Sequence, residues 1–325
     1  MSPTASTSLL TAESRAQGCL MGLAVGNVLG LAVESRTREE TRARLASSGA
    51  FPRLPVEEAH RAWDDDLAMA MALGGCLAAL PPGVDQLNRP AILSAYLDWL
   101  RSGSRGIGGL TREVLIKTLA GEARAAERVW QTRCERGERP LGNGAAMRIA
   151  PLGLAFANQP GDVFRLASEE ASLTHWDPAC RQSAALIALL VAALVSRERD
   201  PRHFALAHAE ALLPEVAEAF VPVSLETLAE RRLDGWDMGS TLVALRVAVS
   251  VLASGQPYAE ALPWVIRQGG DTDTNGAIVG ALLGARDGLE AIPVDWQACV
   301  SEQVRILQMG QRLIRHHELT QGGLA

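Results

Sequence analysis

Apolar residues recur along this chain at intervals of three and four, the spacing that gathers them on one face of a helix, and polar or Gly/Pro-marked stretches separate the runs. The pattern predicts a first helix over 15–30, where Cys19, Leu20, Leu23, Ala24 and Leu29 make an apolar surface and the glycines permit close backbone approach. A buried helix is expected over 67–80, ended by Pro81, Pro82 and Gly83. Further helices are expected over 90–102, 110–130, 145–157, 161–173, 178–196, 201–213, 225–232, 237–254, 258–268, 275–286 and 296–316. Pro151 should kink the 145–157 helix or begin a second piece. Residues 36–44 read as polar and exposed, and the Gly/Ser-rich 103–109 as a mobile or tightly turned loop. Short connections favour one compact bundle, a single domain over 14–317 with loose ends at 1–13 and 318–325.

Composition narrows the class. Apolar residues make up 48% of the chain and aromatics only 4%, and Ala and Leu supply most of the apolar content, so an all-α core of closely packed helices is expected. The β-branched and aromatic runs of a large sheet are missing. A formal net charge of -6 with no basic block argues against a phosphate-backbone binder, and no nucleic-acid partner is expected. Cys19, Cys76, Cys134, Cys180 and Cys299 are scattered and odd in number, as in an intracellular protein with reduced thiols. The Ser/Thr/Ala-rich start, followed by an apolar stretch cut by glycines, is not the pattern of a secretory signal. With no uninterrupted apolar run of membrane-spanning length, a cytoplasmic location without membrane partner is expected.

The chemistry sits in two acidic clusters. Asp64, Asp65 and Asp66 stand together where an apolar helix pattern begins. Carboxylates at a helix start are stabilised by free amides and the dipole, so one such acid would be an ordinary cap. Three adjacent acids repel one another, and a divalent cation with a taste for oxygen ligands would relieve that repulsion. The second cluster, Asp271, Thr272, Asp273, Thr274 and Asn275 between Gly270 and Gly276, also precedes an apolar run. Asp271 and Asp273 alternate and can face one cavity, with the Thr274 hydroxyl adding an oxygen. The lesser alternative for this segment taken alone is a glycine-rich turn with Asx caps.

Other residues are open between two roles on local grounds. Asn143, Gly144, Met147 and Arg148 can line a pocket, with Arg148 offering a fork for phosphate or carboxylate, or Arg148 can pair structurally. His175 stands at a helix end, as suited to structure as to a ligand. His316 and His317 read as exposed, and His60, His203 and His208 form no serine-hydrolase or zinc constellation. The segment from Gly22 to Gly30 lacks the lysine and Ser/Thr of a phosphate loop and a preceding strand, so its glycines read as helix-packing positions. Glu34 is placed either to enter a cavity or to face solvent, and Asp237 reads as a helix cap.

The ordered set of the glycine-rich helix with Glu34, the Trp63 to Met69 segment, Asn143 to Gly153, Thr174-His175 and Gly269 to Gly280 resembles the ADP-ribosylglycohydrolase family over most of residues 15–310. The last segment is the most specific. The resemblance implies an all-α orthogonal bundle holding two divalent cations, Mg2+ or Mn2+, beside an ADP-ribose cleft. It gives Asp65, Asp66, Asp271, Asp273 and Thr274 as ligands, with Asp64 a further oxygen donor where the family usually has threonine. It gives Glu34 as the leading acid/base residue; Asp64, a titratable group beside the implied cations, is the second choice, and Asp66 is a further catalytic candidate. Asn27, Asn143, Gly144, Met147, His175 and Gly270 are the implied substrate contacts. Leu67 and Asn27 depart from the family's usual threonine and acid. The implied activity is hydrolysis of the bond between ADP-ribose and a protein acceptor, arginine first, on an ADP-ribosylated protein with ADP-ribose as product, by a monomer. The rivals are an O-linked or other ADP-ribosyl conjugate, and a weakly active protein that binds ADP-ribosylated protein or an ADP-ribosyltransferase.

Overall fold

The computed structural model describes residues 10–47, 63–81 and 83–321. Among them the chain forms α1 (Ala12–Leu31), α2 (Arg38–Ser47), α3 (Asp65–Leu77), α4 (Arg89–Arg101), α5 (Gly109–Leu119) and α6 (Ala125–Glu135). Next come α7 (Ala150–Ala155), α8 (Pro160–Ala171), α9 (Pro178–Val195), α10 (Pro201–His208), α11 (Pro214–Ala219) and α12 (Leu225–Glu230). The last are α13 (Thr241–Ala253), α14 (Tyr258–Ile266), α15 (Thr272–Asp287), α16 (Val294–Gln297) and α17 (Gln303–Gln321). No strand lies among the described residues; two isolated bridges, Arg36 with Gly270 and Gly142 with Ser240, tie loops together. The fold is all-α.

Glycines at every fourth position bring α1 and α15 backbone to backbone. A Cβ on Gly18, Gly22 or Gly26 would stand 2.4, 2.1 or 1.9 Å from the carbonyl oxygen of Gly284, Gly280 or Gly276. These two antiparallel helices therefore approach more closely than side chains allow, and the contact runs the length of both. Thr272 Oγ1 donates to Gly30 O at 2.8 Å and Tyr258 Oη to Gly22 O at 3.1 Å, so the exposed carbonyls of the seam are also satisfied. The pair carries the Glu34 turn and the Asp271 cluster at the same end.

Around this seam the apolar α9 packs against α7, α8, α10 and α13. It is the one described helix long and apolar enough to cross a membrane, but 83% of it is buried inside the protein, as a core helix would be. All five cysteines are free thiols.

Several boundaries differ from the sequence pattern. The 110–130 run is two helices, broken where Gly121 and Arg124 take φ of 83° and 56°. The 201–213 run ends at His208, and Pro214 starts α11. The 296–316 run divides at Glu302, whose φ is 55°, and its second part continues helically to Gln321, through part of the expected loose tail. Residues 36–44, read as polar and exposed, fall largely within α2, which is anchored by buried Thr41 and Leu45. Pro151 begins α7 instead of kinking a longer helix. At the start of the chain, α1 begins at Ala12 with Thr11 Oγ1 accepting from Ser14 N at 3.0 Å.

Candidate active site

Both acidic clusters sit at helix starts, and the two starts meet. Asp64 is the residue before α3 and Asp271 the residue before α15, and neither side chain makes the usual capping bond. Carboxylate oxygens of Asp64, Asp65 and Asp66 converge within 4.8 Å of one another, a grouping that could hold a metal ion. Thr274 donates its hydroxyl to Asp66, which lies fully buried.

A cleft of about 300 Å³ opens beside the triplet. Asp65, Asp271, Asp273 and Thr274 line it together with the exposed Glu34 and with Asn143, Gly144, Met147 and His175. Asn143 Nδ2 donates to Asp271 Oδ2 at 2.6 Å, so the two residues are direct neighbours in the lining. Asp64 and Asp66 lie beneath the cleft surface, and so does Asn27, whose Nδ2 donates to Asp64 Oδ2 and Asp66 Oδ2, each at 3.1 Å. Gly270 is set behind the wall: at φ 77° its N–H donates to Arg36 O and its carbonyl accepts from Ser35 N, both at 2.8 Å, which fixes the turn carrying Glu34. His60 lies outside the described residues, as do the side chains of His316 and His317. Asp237 does not cap α13; Ser240 does.

Several cleft residues carry no mark in the sequence. Thr111 comes from α5, and Met238 and Gly239 from the loop before α13. The loop reaches the site because Asn143 N donates to Gly239 O at 3.0 Å and Thr241 N to Leu141 O at 2.7 Å. Only the long-range pairing reveals them; the glycine at 239 was the one available hint.

The electrostatics are those of crowded carboxylates held away from water. Burial pushes Asp65 up to about 8, with Asp64 adding repulsion, and Asp64 up to about 6, with the Asn27 amide pulling the other way. Asp66 and Asp273 stand well above the ordinary carboxylate range for the same first reason, reinforced by Asp64 and Asp65 for the one and by Asp271 and Asp66 for the other. Glu34 is raised by the burial of its inner side and then by Asp271. Asp64 Oδ1, Asp66 Oδ1 and Asp273 Oδ1 are buried and accept no hydrogen bond. Buried charge without a partner is costly. An all-oxygen set of this kind fits hard divalent cations such as Mg2+ or Mn2+.

The ADP-ribosylglycohydrolase family model matches residues 8–322. The chain belongs to the ADP-ribosylglycohydrolase family, a family of hydrolases. It is 28% identical over 289 residues to the ADP-ribosyl-[dinitrogen reductase] glycohydrolase of Rhodospirillum rubrum, covering 87% of this chain and 89% of that one. It is 24% identical to an ADP-ribosylarginine hydrolase of Serratia proteamaculans, over 92% of this chain and 78% of the other. A solved structure titled as an ADP-ribosylglycohydrolase-related protein complex superposes with a TM-score of 0.68 at 26% identity, covering 94% of this chain and 98% of its own. Asn27 and Asp64, two of the residues read from the sequence as unusual for the family, are in direct contact here, the Asn27 amide facing the Asp64 carboxylate.

Proposed function

We propose that this family member hydrolyses the bond between the anomeric carbon of ADP-ribose and a protein acceptor, with arginine the preferred acceptor, using two divalent cations held by Asp64, Asp65, Asp66, Asp271, Asp273 and Thr274. The observation that carries this reading is the cleft itself, bounded by buried carboxylates with unmatched oxygens and by a protonatable Glu34. Bound there, the cations would supply polarisation and positioning of water and ribose oxygens. The Asn143 amide holds Asp271 in place. Glu34, with its affinity for protons raised, is suited to deliver one to the departing acceptor atom. Arginine as the acceptor is in keeping with the name of the Serratia relative, an ADP-ribosylarginine hydrolase. The site's parts come from one chain, which supports a monomer as the working unit.

Turnover on arginine-linked and serine-linked ADP-ribosyl proteins, measured side by side with Mg2+ or Mn2+, tests the acceptor. Arginine-linked substrate should be cleaved at least about 10-fold faster in kcat/KM, the equivalent of one good polar contact. The reverse preference would move the assignment to O-linked ADP-ribose.

A further inference from the structure

Beneath the cleft lies a buried chain of polar groups that the acidic cluster does not use. Arg148 is fully buried and donates four ways: Nε to Glu170 Oε1 at 2.8 Å, Nη1 to Gly144 O at 2.9 Å and to Met69 Sδ at 4.0 Å, and Nη2 to Thr174 Oγ1 at 2.8 Å. Tyr96 Oη also donates to Glu170 Oε1, at 2.6 Å, and the Tyr96 ring lies 4.7 Å beneath the guanidinium. Thr174 Oγ1 is 2.9 Å from His175 Nδ1. His175 in turn faces the cleft across Gly142 and Gly144, where a Cβ on Gly144 would come within 2.9 Å of the ring.

Hydrogen counting sets the direction of this chain. A guanidinium only donates, so Thr174 Oγ1 must accept from Arg148. Thr174 is fully buried, and His175 Nδ1 is the acceptor its own hydroxyl hydrogen meets. If Nδ1 carried a proton, the hydroxyl would receive twice and its hydrogen would have nowhere to go, a loss of about 1–3 kcal/mol for a buried group. The imidazole proton therefore belongs on Nε2, on the cleft side. The cationic Arg148 nearby also opposes a doubly protonated ring.

The geometry points to a tautomer lock: Arg148 and Thr174 are positioning residues that hold His175 as a neutral ring presenting Nε2–H to an oxygen acceptor of the ADP-ribosyl group. Among the described residues no protein acceptor meets Nε2, so the donor is free for ligand. This inference rests on the proposed ADP-ribosyl ligand for the acceptor, while the lock itself depends only on the buried chain. The same network anchors the Gly144 carbonyl, so the backbone beside Asn143 and the ring across from it are set by one guanidinium.

The test is nitrogen-15 NMR of histidine-labelled protein, which separates protonated from bare ring nitrogens without substrate or metal. Between about pH 5 and 8, His175 should show Nε2 protonated and Nδ1 bare in the wild type and in Thr174→Ser, which keeps the hydroxyl. Thr174→Val should lose that pattern and bind ADP-ribose about 10-fold more weakly by calorimetry, with Thr174→Ser within about 2-fold of wild type. A wild-type Nδ1–H tautomer overturns the lock even if Thr174→Val fails to fold. A folded Thr174→Val with wild-type tautomer and affinity also overturns it. A locked Nε2–H ring in a folded, metal-loaded protein that binds no ADP-ribose overturns the assigned acceptor and the functional reading while the lock stands.

Discussion

Glu34 and His175 line the same cleft, and their proton affinities are driven in opposite directions. Glu34 gains affinity for protons from burial and Asp271, whereas burial first and Arg148 second push His175 down to about 3 from 6.5. Glu34→Gln keeps size and hydrogen bonding but removes the transferable proton, so kcat should fall about 100-fold or more with metal affinity within about 2-fold of wild type. Steady-state kinetics with calorimetric metal titration checks both halves. For His175 the linkage sign follows from the lowered folded value: between 6.5 and about 3 the unfolded chain takes up the proton and the folded chain does not. Its neutral state therefore supports stability fully above about pH 6.5, and that support is lost progressively as pH falls. Denaturant unfolding of wild type and His175→Gln at several pH values should show the wild type losing ground to the variant below pH 6.5; a constant difference would refute this. Arg148 illustrates what a residue read alone leaves open. Its local sequence suits an anion fork and a structural pair equally, and only the tertiary arrangement places it beneath the cleft with Glu170.

The α1 and α15 seam is the element on which the site depends. Its glycines were legible as packing positions because four recur at a spacing of four in α1, but which partner they meet depends on contacts made across the whole chain. Gly26→Ala should destabilise by about 3 kcal/mol or more, since its new methyl would fall 1.9 Å from the Gly276 carbonyl oxygen and one helix must retreat. Ala at Gly75, where nothing lies within 4 Å, should be close to neutral or slightly favourable, and paired denaturation curves would show the contrast. Helices with strong apolar runs, such as α9 and α13, were readable. Pattern continued across the α5 to α6 break, because a single glycine and a left-handed arginine interrupt the backbone without interrupting the apolar face. It failed in the other direction for α2, where too few apolar side chains are buried to mark the period.

At the scale of the molecule, folding brings together two carboxylate groups far apart in sequence and keeps them from water. The acidic residues and their helix-start positions were visible in the sequence, while Thr111, Met238 and Gly239 were not, since neither charge nor spacing distinguishes them from ordinary loop and helix residues. Bringing these carboxylates together without countercharge opposes folding, and a cation bound only by the folded state would reverse that. Chelation should therefore lower the melting temperature and added Mg2+ or Mn2+ should restore it, with about 2.7 kcal/mol gained at a hundredfold excess over Kd. Asp273→Ala should blunt the response, and scanning calorimetry reads it directly. The proposed hydrolysis is tested most directly by release of free ADP-ribose from an arginine-ADP-ribosylated protein, with Mg2+ or Mn2+ supplied and then chelated, beside folded Asp66→Ala and Asp273→Ala. The expected result is metal-dependent release that falls about 100-fold or more in both variants. No release by folded, metal-loaded protein, or equal release after chelation, would contradict it.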